Sequence, residues 1–162
     1  MKLDFIKLSE AAAFSGHRSL QQQSEEELRE KVRKQIKSLY AKGVYAFFNG
    51  MALGFDMLAA EELISLKKEL PYLIFVAVVP FRGQSDRWQV ESRDRWATIL
   101  KKADQVIFVS DSYFDRCFLK RNDFMIDRVG HLICYYDGKP FGGTAYTYRK
   151  AKTKKRLITN LY

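Results

Sequence analysis

Five short clusters along this chain carry residue types that hold anions and sugar hydroxyls. Gly16, His17 and Arg18 close the first apolar run, and Gly50, Gly54 and Asp56 punctuate the stretch FFNGMALGFDMLAAEELI. Arg82, Gly83 and Gln84 follow a third run; Asp111, Tyr113, Arg121 and Asn122 follow a fourth; Gly142, Gly143 and Thr144 follow a fifth. Glycine lets the backbone approach a ligand closely. Arginine offers a planar fork for two hydrogen bonds to one phosphate. Thr144 is placed to donate to a phosphate oxygen while capping its own helix. Asp56 reads differently, because a carboxylate repels phosphate. It accepts from a ribose hydroxyl, as acidic residues do in dinucleotide sites, or it simply favours a helix N-terminus electrostatically.

Each residue also has an architectural alternative. Gly50 and Gly54 serve equally as turn and packing glycines, His17 as a loop residue, and Arg82 and Arg121 as surface ion-pair partners. Tyr113 stacks on a ring or covers the core. Trp88 and Trp96, eight apart, read as packing. Only convergence of the clusters on one rim favours a binding site.

That convergence requires a frame. Apolar runs at 11–16, 44–49, 72–80, 105–110, 131–137 and 156–161 read as strands. Between them the 3.6-residue period predicts helices at 24–42, from about 55 to 70, 89–102, 122–128 and 144–152. The first opens with SEEE, a capping box at Ser24 and Glu27. Strands that alternate with helices and read as continuous apolar runs predict an α/β fold, a doubly wound, mainly parallel sheet covered on both faces. In such sheets ligands bind outside the carboxyl ends of the strands, where helix N-termini present free N–H groups. All five clusters stand at those ends. The opposite ends carry few such residues.

Composition narrows the classes. A chain of 162 residues fits one domain over 1–162, large enough to bury roughly 68–70% of its unfolded surface. No apolar run approaches a membrane span, and MKLDFIKLSE lacks the apolar core of a secretory leader. Cys117 and Cys134 have neither disulfide-framework nor metal spacing, so the expectation is a cytoplasmic protein without membrane contact. The formal charge of +9 gathers in YRKAKTKKR and REKVRKQIK. A nucleic-acid partner, solvated helix faces or a small anionic ligand each account for it. G-x-G-x-x-G, the P-loop and G-x-S-x-G are all absent. His17 and His131 are the two histidines, and His131 falls at the start of a predicted strand, which argues against zinc or a His-dependent triad.

The segments FSGHRS, NGMALGFDMLAAE, PFRGQSDRW, YFDRCFLKRNDFMID and GGTAYTYRKA, in that order, resemble the YpsA-like branch of the SLOG superfamily. That group is named for the DNA-processing protein Smf/DprA and the LOG cytokinin-activating enzymes. The resemblance covers about residues 11–156. It implies a Rossmann-like fold with a pocket for a nucleotide-derived small molecule related to ADP-ribose or NAD. Carried over by motif, the pocket draws on Gly16, His17, Arg18, Gly50, Gly54, Asp56, Arg82, Gln84, Arg121, Asn122, Gly142, Gly143 and Thr144. LOG-type enzymes are phosphoribohydrolases with a glutamate three residues after the threonine of P-G-G-x-G-T-x-x-E. Here Thr147 stands in that place, so catalytic residues are unknown. No metal site and no resident cofactor are expected. Three readings remain: a binding or sensing domain without turnover, a phosphoribohydrolase-like enzyme, and a Smf/DprA-like DNA-binding protein. Self-association follows by analogy with the superfamily.

Overall fold

The computed structural model describes residues 3–21 and 23–162. The expected domain over 1–162 also takes in Met1, Lys2 and Gln22, which lie outside the described residues. Six strands form one sheet: β1 (Ala11–Gly16), β2 (Ala46–Asn49), β3 (Ile74–Val79), β4 (Gln105–Phe108), β5 (His131–Tyr135) and β6 (Leu157–Asn160). Their spatial order is β4-β3-β2-β1-β5-β6, and each neighbouring pair is parallel.

Side chains alternate across the sheet with period two, and here both faces are buried. On one face Phe14, Phe47, Phe75 and Tyr135 pack under α1 (Glu25–Ala41), α2 (Phe55–Leu66) and α3 (Val90–Leu100) through Leu28, Ile36, Leu58, Leu63 and Trp96. On the other, Ala13, Phe48, Val76 and Cys134 pack under α4 (Cys117–Ile126) and α5 (Gly143–Thr153) through Met125, Ile126, Ala145 and Ala151. Double coverage explains why the strands read as continuous apolar runs. The fold is Rossmann-like α/β.

The capping box forms as expected: Glu27 N donates to Ser24 Oγ at 3.1 Å, and Ser24 N donates to Glu27 Oε2 at 3.4 Å. The helix expected at 122–128 differs. α4 begins at Cys117 and ends at Ile126, and its buried stripe is Cys117, Arg121, Asn122, Met125 and Ile126. Two polar members of that stripe break the apolar period on which the expectation rests.

Some of the residues in the two basic runs hold helices together. Arg29 pairs with Glu61 at 2.7 Å and Glu62 at 3.0 Å, and Arg33 reaches Glu62 at 2.9 Å, joining α1 to α2. Lys150 pairs with Asp123 at 2.6 Å and Lys154 with Asp127 at 2.5 Å, joining α5 to α4 and its C-terminus. No described helix is long and apolar enough to cross a membrane.

β1 to β4 step outward in chain order on one side, whereas β5 and β6 lie on the other side of β1. The order therefore reverses between β1 and β5. At such a switch point the loops diverge to opposite faces and leave a crevice above the strand ends.

Candidate functional site

A pocket of about 560 Å³ occupies that crevice. The end of β1 supplies Ser15, Gly16, His17 and Arg18, and α2 supplies Asp56. The β4–α4 connection and α4 supply Tyr113, Asp115, Arg116, Phe118, Arg121 and Asn122, and the start of α5 supplies Gly142, Gly143 and Thr144. α2, α4 and α5 all begin on this rim, and none has a side-chain cap. Phe55 N at the start of α2 donates to His17 O and Cys117 N at the start of α4 to Phe114 O, both at 3.1 Å. The amides at the start of α5, beside Gly142, Gly143 and Thr144, are therefore those best placed for an anionic guest.

Asp56 is buried in the first turn of α2, only 4% exposed. Its Oδ2 accepts from Ala52 N at 3.2 Å, while its buried Oδ1 has no hydrogen-bond partner. Burial raises its pKa to about 6, opposed by Arg121, the Ala52 amide and Arg18. Arg121 is buried as well; it donates to Gly50 O and, at 2.7 Å, to Asn122 Oδ1. Burial lowers its pKa from the usual guanidinium value, and Asp56 resists that shift. The floor thus holds two desolvated charges of opposite sign, with one carboxylate oxygen still able to accept a proton donor.

The glycine-rich passage between β2 and α2 is fixed by Asn49 and by close packing. Asn49 Nδ2 donates to Asp56 O at 2.8 Å, and its Oδ1 accepts from Met51 N at 2.9 Å. A Cβ on Gly50 would lie 2.7 Å from Arg121 Nη1, and one on Gly16 would lie 2.5 Å from the Phe55 ring. Gly54 has φ 81°, and a side chain there would meet the backbone of Arg18. Protein groups fill these three spaces. A Cβ on Gly142 would meet nothing within 4 Å, and one on Gly143 would meet only Asn122 Nδ2 at 3.9 Å. The open glycines are those of α5.

The YpsA family model, described as the YspA SLOG family, matches residues 13–160. This chain belongs to that SLOG family. The YpsA-family chain is 30% identical over 134 residues to a UPF0398 protein of Halalkalibacterium halodurans, covering 77% of this chain and 71% of the relative. Its fold is similar to that of DNA processing protein A from Helicobacter pylori, which binds single-stranded DNA: TM-score 0.61, 18% identity, 98% of this chain and 66% of the other. DNA processing protein A from Streptococcus pneumoniae gives a TM-score of 0.63 at 16% identity over 98% of this chain and 50% of the other. The YpsA-family chain thus spans between half and about seven-tenths of the length of these proteins. At such identities the two solved structures establish the fold alone.

Of the thirteen residues expected at the site in this YpsA-family chain, the pocket gathers Gly16, His17, Arg18, Asp56, Arg121, Asn122, Gly142, Gly143 and Thr144. Gly50 and Gly54 lie behind its wall. Gln84 is buried and braces that wall, with Nε2 3.4 Å from Gly50 O and Oε1 accepting from Trp96 Nε1 at 3.2 Å. Arg82 stands elsewhere: it pairs with Asp111 at 2.8 Å and covers the Phe108 ring at 4.2 Å. β3 lies two strands from β1, so with neighbours about 4.8 Å apart its end falls roughly 10 Å from the switch point. His17 Nε2 accepts from Asp137 N at 2.9 Å and lies 3.0 Å from Asp137 Oδ1, tying the first loop to the fifth. Thr147, in the place of the LOG glutamate, is buried and donates to Gly143 O at 2.9 Å. Cys117 and Cys134 are buried free thiols. Among the described residues no group of three or more His, Cys, Asp or Glu is placed to hold a metal ion.

Sequence reasoning missed Phe14, Ser15, Ala52, Asp115, Arg116, Phe118 and Leu119 on the pocket wall. Arg116 is the most informative. It precedes α4 with φ 67°, ψ 15°, a left-handed conformation that costs an L-residue about 1–2 kcal/mol. Arg116→Gly is therefore expected to keep or raise the melting midpoint, with a gain of up to about 1 kcal/mol, while weakening binding of a phosphorylated ligand. Paired thermal melts and titrations check this. A lower midpoint would show that the backbone is not strained.

Proposed function

We propose that this pocket binds a nucleotide or nucleotide-derived ligand, with phosphate against the start of α5 and Arg18, and ribose against Asp56. The observation that carries the reading is the buried, partnerless Oδ1 of Asp56 beside three uncapped helix starts. Phosphate suits free amides and guanidinium groups, whereas a buried carboxylate oxygen needs a donor, and a sugar hydroxyl provides one. The volume falls within the range of small-molecule sites. With Thr147 in the glutamate's place, the reading is binding or sensing without turnover. Free thiols suit a reducing, cytoplasmic setting.

Calorimetry with AMP, ADP-ribose, NAD and a cyclic dinucleotide tests it. Heat of binding is expected with at least one; silence with all of them at millimolar ligand overturns it. The fold shared with a single-stranded DNA binder supports a second reading, DNA. Against it, Arg29 and Arg33 of one basic run and Lys150 and Lys154 of the other are engaged in ion pairs between helices. An oligonucleotide affinity that falls steeply between about 50 and 200 mM salt would favour DNA.

A further inference from the structure

Resting on the nucleotide reading, we infer that the β4–α4 connection supplies a base-stacking platform centred on Tyr113, so that the ligand carries an aromatic base and does not end at a sugar phosphate. Tyr113 borders the pocket and is 62% exposed. A tyrosine that merely covered the core would bury its ring. Its ring is held by two others: Phe81 meets it edge-on with centroids 5.6 Å apart, Phe118 lies 6.5 Å away, and Phe81 and Phe118 meet edge-on at 6.0 Å. Such a trio fixes the orientation of one ring while leaving it open, which is the form of an aromatic anchor.

The connection is also fixed at its ends. Ser110 Oγ donates to Ser112 O at 2.8 Å and accepts from Ser112 N at 3.3 Å, and left-handed Arg116 sets the entry into α4. Phe118 joins the aromatic wall to the polar floor, since Arg121 Cζ lies 6.0 Å from its ring centre. The pocket therefore has two chemistries in one volume. Asp56, Arg121 and Thr144 offer groups to a phosphorylated sugar, and Tyr113 and Phe118 offer a surface only a planar, apolar-faced group would use.

The test is titration calorimetry of the full chain with AMP and with ribose 5-phosphate. AMP is expected to bind about tenfold or more tightly than ribose 5-phosphate. Tyr113→Ala and Tyr113→Leu should each weaken AMP about tenfold and leave ribose 5-phosphate unchanged, while Tyr113→Phe keeps AMP. Leucine retains apolar bulk without a ring, so loss with leucine separates stacking from simple cover. If AMP binds but ribose 5-phosphate binds equally well, or if Tyr113→Leu leaves AMP affinity intact, the stacking inference falls and the nucleotide reading stands. If no nucleotide binds, both fall.

Discussion

Asp56→Asn is expected to make the unliganded protein more stable at neutral pH and a poorer nucleotide binder. The carboxyl has an ordinary pKa of 3.8 and about 6 in the fold, raised by burial. Between those values the folded state holds a proton that the unfolded state has released, so stability falls as pH rises through that window. Below 3.8 the penalty is absent; above 6 it is fully present, amounting to about 1–3 kcal/mol at pH 7. The attraction of Arg121 is already contained in that balance. Asparagine keeps the shape and the acceptor for Ala52 N without the charge. Urea unfolding at pH 4 and pH 7 checks the sign: the variant should match the parent at pH 4 and exceed it at pH 7. Equal differences at the two pH values would remove the argument. Affinity should fall about tenfold, the usual consequence of losing a hydrogen bond to a charged acceptor.

The largest loss of stability is expected from Gly54→Ala. With φ 81° the residue lies where L side chains are strained, and its Cβ would also meet the backbone of Arg18. Backbone atoms cannot swing aside as a flexible side chain can. The expected cost is about 2–4 kcal/mol, roughly 5–15 °C in melting midpoint for a domain of this size. Gly138→Ala separates the causes: φ there is 83°, yet nothing lies within 4 Å of the added carbon. It should lose only about 1 kcal/mol. Equal losses for the two variants would show that the contact with Arg18 is unimportant. Because that contact sets the loop carrying Arg18, Gly54→Ala should also reduce ligand affinity.

The framework was legible because doubly covered parallel strands must be apolar at successive positions, as AAAFSG and IFVAVV are. The capping box at Ser24 was legible for a similarly local reason. The start of α4 was not, because its pocket-facing residues, Arg121 and Asn122, look like a solvated face when read in sequence. The inclusion of Arg82 and Gln84 had another cause. Sequence identifies the carboxyl end of each strand without revealing which ends are neighbours, and only the order β4-β3-β2-β1-β5-β6 places β3 away from the switch point. Conversely, α4 returns from the far edge β4 to lie beside α5, bringing Arg116 and Phe118 to a crevice that their position along the chain does not suggest. The left-handed backbone of Arg116 has no sequence signal, since glycine or asparagine is the residue ordinarily found there.

The two strands at the switch point lie far apart in the polypeptide, one ending at Gly16 and the other at Tyr135, with Asp56 and Arg121 between. No fragment short of the assembled sheet brings these four regions together. Local fraying of one segment would therefore dismantle the cradle before the rest of the molecule melts. A bound guest would act as a clasp across the first and last thirds of the chain, raising the cooperativity of unfolding and not merely its midpoint.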